Sequence, residues 1–373
     1  MKKILIIGGN PKSLIKFRGK LLESFIEKGF NVVACASGNC ETTSHELTKI
    51  GVKYIPASIN RTSLNPFHDL FLLCQFILII RRVKPDLVLT YTIKPTIYGL
   101  IAARINFIKK RYAIITGLGY AFTSREHLLK KILGFIASNL YKLSLIKAST
   151  VFFQNNDDLD LFRKMNIIYS KTKTIRVMGS GVDIDHYKFS KISSDSFNFL
   201  LIARLLRDKG IYEYVEAARI VKENEPNLDI NFKLIGSYDS NPSAIKPKII
   251  EDWVSKKYIT YLGEVTDVRP YLQECSVFVL PSYREGLPRS TLEAMSIGRA
   301  IITTDVPGCR DTILNNINGV LVPVKNSKEL AIAMLLIINN NLKNQMGIES
   351  RKIVEESFDV DKVNKVILKE MGI

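Results

Sequence analysis

Residues 281–295, PSYREGLPRSTLEAM, gather the densest set of groups able to act on a ligand. The apolar run 277–280 reads as a strand, and the loop after it leads to Pro288. Proline suits the first position of a helix, where a missing N–H costs nothing. A helix starting there directs unpaired N–H groups outward, which favours an anion such as phosphate. Glu285 then lies in the loop before the helix, and Glu293 about a turn and a half inside it. Two carboxylates flanking an anion can accept hydrogen bonds from hydroxyl groups, and phosphate beside polyol is the chemistry of a nucleotide sugar. Taken singly, Glu285 also reads as an ordinary cap and Glu293 as a solvated helix residue.

A second loop strengthens the first. After an apolar run at 199–202 comes ARLLRDKG, residues 203–210, leading into another helical pattern. Arg204 and Lys209, at the carboxyl end of a strand, can neutralise a diphosphate without a metal ion. Both loops open at the same edge of one expected sheet. Three Asp-x-Asp pairs occur: Asp158/Asp160, Asp183/Asp185 and Asp359/Asp361. The second lies at the expected domain boundary and the third near the C-terminus, poor places for one shared ion, so no metal is expected. The five cysteines, Cys35, Cys40, Cys74, Cys275 and Cys309, show neither zinc spacing nor a redox pair and suit a reducing compartment.

These loops need strands to hold them. Short β-branched runs fall at 3–7, 32–36, 52–55, 86–89, 112–115 and 151–153. A second series follows at 199–202, 232–235, 259–261, 277–280, 300–303 and 320–322. Amphipathic segments such as 19–28, 64–83, 127–146, 210–223 and 327–338 alternate with them. That alternation implies parallel sheets covered on both faces, in an α/β protein. Two series imply two doubly wound, Rossmann-like domains, expected to face a cleft between them where strand ends meet helix starts. The expected division is 1–187 and 188–355, with a helix over about 356–373 returning to the first domain.

At 373 residues the chain has length for two cores, and 46% apolar with 24% charged residues is an ordinary globular composition. The formal net charge is +17. Residues 1–190 hold 29 Lys and Arg against 12 Asp and Glu, while residues 191–373 hold 24 of each. The whole excess therefore sits in the first domain. Its helical patterns at 64–84 and 125–147 set Phe, Leu and Ile among Arg81, Arg82, Lys84, Lys130, Lys131 and Lys142. Such helices can lie on an anionic membrane surface. The longest apolar stretch, residues 67–80, contains His68, Asp69 and Gln75. It falls short of the ~20 residues a spanning helix needs. A nucleic-acid partner would also attract this charge, but no zinc finger or RNP-like aromatic sequence is present, and none is expected.

The second half resembles the retaining GT-B glycosyltransferases of family 4, in the branch that builds capsular polysaccharide and O-antigen. Residues 203–210, 281–295 and 304–310 (TDVPGCR) carry the resemblance. The first half agrees at Phe17-Arg18, 92–95 (TIKP), 117–123 (GLGYAFT), 153–158 (FQNNDD) and 179–183 (GSGVD). The resemblance implies transfer of a sugar from a UDP-sugar to a polyprenyl-diphosphate-linked saccharide, with no cofactor. It implies that Arg204 and Lys209 hold the diphosphate, Glu293 the ribose hydroxyls, and Glu285 the transferred sugar. Gly286 and Leu287 would complete that pocket through backbone N–H groups. Pro288 and Arg289, with Leu287, are where sugar selectivity is expected, and Gly8-Gly9 would let a first-domain loop approach the donor.

On the acceptor side the candidates are Lys94, Arg18 and Thr116, which stands where many relatives carry His. None of His45, His68, His127 and His186 falls in a matched motif. The branch implies a cytoplasmic protein, peripheral on the inner face of the plasma membrane. N-acetylgalactosamine in α1,3 linkage is the specific expectation; another UDP-hexose, a GDP-sugar donor or a sugar-nucleotide epimerase are the alternatives.

Overall fold

The structure is a computed structural model that describes residues 1–60, 65–118, 128–192, 196–239 and 241–373, with backbone alone for 128–133. The chain forms two units. One comprises Met1–Ser180 with Asp361–Ile373, the other Gly181–Val360.

The first unit holds β1 (Lys3–Ile7), β2 (Asn31–Ser37), β3 (Lys53–Ala57), β4 (Leu87–Tyr91), β5 (Lys110–Ile115), β6 (Thr150–Phe153) and β7 (Thr174–Arg176). They pair in the order β3-β2-β1-β4-β5-β6-β7, every pair parallel. Successive side chains on a strand point to opposite faces. Leu5 and Ile7 of β1 accordingly join Leu72, Phe76 and Ile80 of helix Pro66–Val83 in one core. Ile4 and Ile6 join Leu22 and Phe25 of helix Gly19–Glu27 in another. Val363, Ile367, Leu368 and Met371 of the last helix, Val360–Met371, complete that second core.

The second unit repeats the plan with β8 (Phe197–Ile202), β9 (Ile230–Ile235), β10 (Thr260–Tyr261), β11 (Val277–Leu280), β12 (Ala300–Thr304) and β13 (Gly319–Val322). Their order is β10-β9-β8-β11-β12-β13, again all parallel. Both sheets thus place the first strand of each half side by side, β1 with β4 and β8 with β11. The chain winds outward in opposite directions from that point, so the loops leaving the paired strands diverge and leave a crevice. In the second unit the opening is visible in the register. β8 pairs with β9 along all six residues, but with β11 only at Phe199↔Val277 and Leu200↔Phe278.

The fold expectation from sequence holds, and three details differ. The division falls at Ser180/Gly181 and the return at Asp361, because Gly181 and Val182 belong to a crossing within the second unit. There Val182 N–H donates to Phe358 O (2.8 Å) and Val360 N–H to Val182 O (3.0 Å). The edge strand β7 lacks a sequence signal, being three half-buried residues. Helix Ile93–Ile105 shows no amphipathic period because it is buried on nearly all sides.

The last helix gives a test of this wiring. Ile367→Ala removes a fully buried side chain from the core beside β1. It is expected to cost about 2–5 kcal/mol, read as a lower urea midpoint for tryptic protection of segments from residues 1–180.

Candidate functional site

In the second unit the candidate residues gather on the loops leaving β8 and β11. Residues Arg207–Lys209 form a single 3-10 turn that ends at Gly210 in a left-handed conformation, φ 70°. A Cβ on Gly210 would fall 2.0 Å from the Pro281 carbonyl oxygen, so the two loops touch where only glycine fits. The contact is reinforced by Tyr283, whose N–H donates to Asp208 O (2.8 Å) and whose hydroxyl donates to Glu213 Oε1 (2.7 Å). Burial and the Glu213 carboxylate push that phenol well up.

This arrangement brings Lys209 and Glu285, 76 positions apart, into an ion pair. Lys209 Nζ donates to Glu285 Oε1 at 2.5 Å, and the Ser282 hydroxyl donates to the same oxygen at 2.8 Å. Both charged side chains are about 15% exposed, enough to meet a ligand while largely shielded from water.

Gly286 and Leu287 follow in the loop, Leu287 buried. Pro288 is the N-cap, in extended conformation (φ −73°, ψ 114°), and not the first helical residue. The helix is Arg289–Ile297, and no side chain caps its first turn, so the anion-favouring end expected from sequence is retained one residue later. Glu293 pairs with Arg289 (Nε–Oε1 3.1 Å), whose Nη1 also donates to Gly181 O at 2.6 Å. The Tyr187 hydroxyl bonds Glu293 as well; burial first, then that carboxylate, pushes the phenol up. Arg204 is not joined to these pairs. Its Nη1 donates to Asp239 Oδ2 at 2.7 Å, on the loop after β9.

In the first unit the equivalent loops leave β1 and β4. A Cβ on Gly8 would meet the Tyr91 hydroxyl oxygen at 2.2 Å, and one on Gly9 would meet Thr92 Oγ1 at 2.7 Å. Gly8 is therefore needed for packing against the buried Tyr91 ring at the end of β4, while Gly9 lies beside the Thr92 hydroxyl. Tyr91 shares a hydrogen bond with Ser13 (2.9 Å), and burial pushes its phenol up to about 12. Arg18 is buried with its guanidinium 5.2 Å from the Tyr91 ring centroid, a cation–π contact. Lys94, in the first turn of helix Ile93–Ile105, pairs with Asp69 at 2.5 Å, and Tyr98 donates to the other oxygen of Asp69 at 2.9 Å. Thr116, just past β5, is half-buried. Residues 119–123 of the 117–123 motif, His127, and the side chains of Lys130 and Lys131 lie outside the described residues.

Other groups are engaged in the scaffold. Asp158 is buried and bonded to Asn155, while Asp183 accepts from the Asp185 and His186 N–H groups. Burial pushes the thiols of Cys35, Cys275 and Cys309 up to about 12, far from a nucleophilic thiolate at neutral pH.

Comparison with known proteins identifies the family. Residues 196–340 match the family model "Glycosyl transferases group 1", and residues 14–155 match "Glycosyl transferase 4-like". The chain is 30% identical over 312 residues to the N,N'-diacetylbacillosaminyl-diphospho-undecaprenol alpha-1,3-N-acetylgalactosaminyltransferase of Campylobacter jejuni. That alignment covers 80% of this chain and 79% of the relative. The chain belongs to the group 1 glycosyltransferases. A second relative of this glycosyltransferase is the UDP-Gal:alpha-D-GlcNAc-diphosphoundecaprenol alpha-1,3-galactosyltransferase of Escherichia coli, 26% identical over 84% of this chain and 81% of that one. Among solved structures, Anabaena HepE in complex with UDP superimposes with a TM-score of 0.78 at 18% identity, covering 100% of both chains. The fold is GT-B, as the resemblance implies.

Four residues that bond the candidate side chains are not singled out by the sequence reading: Asp239, Ser282 and Tyr187 in the second unit, and Asp69 in the first. Asp69 alone carries a signal, as the one carboxylate of a mostly apolar helix. Since Gly210 is where the two loops of the second unit touch, Gly210→Ala combines left-handed strain with a backbone clash. A loss of about 2 kcal/mol or more is expected in chemical denaturation.

Proposed function

We propose that this glycosyltransferase moves a sugar from a UDP-sugar to an undecaprenyl-diphosphate-linked saccharide during surface polysaccharide synthesis, with retention of anomeric configuration. The observation that carries the reading is the Lys209–Glu285 pair at the β8/β11 opening, flanked by Arg204 and by the uncapped start of helix Arg289–Ile297. In this reading Arg204 and Lys209 hold the donor diphosphate and stabilise the charge it gains as the glycosidic bond breaks, by electrostatic preorganisation. Glu285 faces the sugar and Glu293 the ribose. Gly286 and Leu287 offer backbone N–H groups, and Pro288 and Arg289 shape the sugar pocket. The donor diphosphate is neutralised by side chains and helix end, so the reaction needs neither metal ion nor cofactor.

Support for the finer assignment is the names of the relatives. Both specify α1,3 transfer onto a diphosphoundecaprenol-linked sugar, one of N-acetylgalactosamine and one of galactose from UDP-Gal. N-acetylgalactosamine is our choice of donor sugar because that relative is the more similar. The acceptor belongs to the first unit, with Lys94, Arg18 and Thr116 on its side and Gly8-Gly9 near the donor. Arg18 then acts through Tyr91, since it is buried.

The acceptor's lipid places the first unit at an anionic membrane surface on the cytoplasmic side. Helix Pro66–Val83 suits such a surface, because it offers apolar groups to the lipid and cations to the headgroups. Phe67 is 79% and Leu78 65% exposed, and Arg81, Arg82 and Lys84 are exposed at its far end. Among the described residues no helix is long and apolar enough to cross the bilayer.

A panel of UDP-sugars against short polyprenyl-diphosphate saccharides, with the linkage read by NMR, tests the assignment. We expect UDP-N-acetylgalactosamine to be turned over, with product formation unchanged in EDTA. Arg204→Ala and Lys209→Ala should each lower turnover by about a hundredfold or more while unfolding like the parent; near-normal rates in both would refute the site. Vesicle sedimentation tests the membrane role. Binding to phosphatidylglycerol vesicles is expected to weaken roughly thirtyfold when Arg81 and Arg82 are both changed to Ala, at about 1 kcal/mol each. Equal binding to phosphatidylcholine vesicles would argue against it.

A further inference from the structure

The loop after β9 is built against the loop that carries Arg204. Leu205 N–H donates to Ser237 O (3.0 Å), Arg207 N–H to Ser243 O (2.9 Å) and Ile245 N–H to Leu205 O (2.9 Å), with an antiparallel bridge between Leu206 and Ala244. The loop after β9 is therefore a strap zipped along residues 205–207. Leu205 anchors the partner loop in the core of the second unit. On the strap, Asp239 is fixed in turn: its Oδ1 accepts from Asn241 N–H (2.9 Å), and Asn241 Oδ1 accepts from the N–H and hydroxyl of Ser243 (2.9 and 3.0 Å).

The remaining oxygen of Asp239 takes Nη1 of Arg204. Among the described residues, Nε and Nη2 of Arg204 donate no hydrogen bond. One corner of the guanidinium is thus pinned, and its other edge keeps the paired N–H donors that match two phosphate oxygens. An arginine whose side chain is 46% exposed would otherwise sample many rotamers, and ordering it would be charged against ligand binding. Asp239 is only 18% exposed and is held by its own loop, so it can supply that order beforehand.

We infer that Asp239 is a positioning residue, which holds Arg204 with its Nε/Nη2 edge directed at the diphosphate of the nucleotide. This rests on the proposed diphosphate role of Arg204. A purely structural role, capping the strap through Asn241, is the competing account, and the two differ in whether Asp239 matters once Arg204 is gone.

The test is a double-mutant cycle on the full chain, read by calorimetric titration of UDP into the wild type, Arg204→Ala, Asp239→Asn and the double variant. Asparagine keeps the shape and the acceptor for Asn241 N–H and removes the charge. Asp239→Asn is expected to weaken UDP about tenfold in the wild-type background and less than about twofold in the Arg204→Ala background. Unchanged UDP affinity in Asp239→Asn, or an equal loss in both backgrounds, overturns the inference and leaves the function reading standing. If Arg204→Ala binds UDP like the wild type, or the wild type does not bind UDP, the diphosphate role itself fails and the inference goes with it. Matching urea midpoints for the four proteins show that the affinities compare folded molecules.

Discussion

The ion pair of Lys209 with Glu285 ties together two loops that the chain separates by 76 positions, and the second unit is arranged so that they can meet. β8 and β11 lie side by side only because the sheet winds outward from their junction, and their register ends two residues before the strands do. Beyond that point the backbone no longer supplies cross-strand bonds. The loops are held instead by Gly210 against Pro281, by Tyr283 on Asp208 and Glu213, and by the charged pair itself. The position of the charged groups is therefore a property of strand order, reached through a small number of contacts between the two loops.

Four cationic groups at these openings share one feature. Lys209 has Glu285, Arg289 has Glu293, Arg204 has Asp239, and Lys94 has Asp69. A carboxylate beside each cation lowers the net field that an incoming anion meets, and in exchange restricts where the cation can be. For a long, flexible side chain that exchange favours geometry over raw attraction. It also gives the carboxylates a second use, since a carboxylate already held by a cation still has lone pairs for hydroxyl groups.

Much of this is legible in the amino-acid sequence. Strands such as Val277–Leu280 and Ala300–Thr304 are short apolar runs bounded by polar loops, and buried parallel strands leave that mark. That the loops of Lys209 and Glu285 leave one sheet edge is legible; that the two side chains bond each other is seen only in the structure. Helix Ile93–Ile105 is hidden because burial on nearly all sides removes the contrast that periodicity depends on. Asp239 is hidden for a different reason. Its role follows from a strap whose folding depends on backbone bonds to residues 205–207, and serine, aspartate and asparagine in a polar loop look alike whether or not they are so tied. The glycines at 8 and 9 read as ligand-facing from sequence; for Gly8 the buried Tyr91 ring adds a packing requirement that the sequence does not show.

The crossing at Gly181–Val182 and Phe358–Val360 bears on how the polypeptide is made. The second unit is one continuous stretch whose two ends hydrogen-bond to each other, so all its parts are present once residue 360 has been added. The first unit begins earlier and finishes later, since the apolar face of its sheet beside β1 waits for Val363, Ile367 and Met371. The core of the half of the molecule translated first therefore depends on residues translated last.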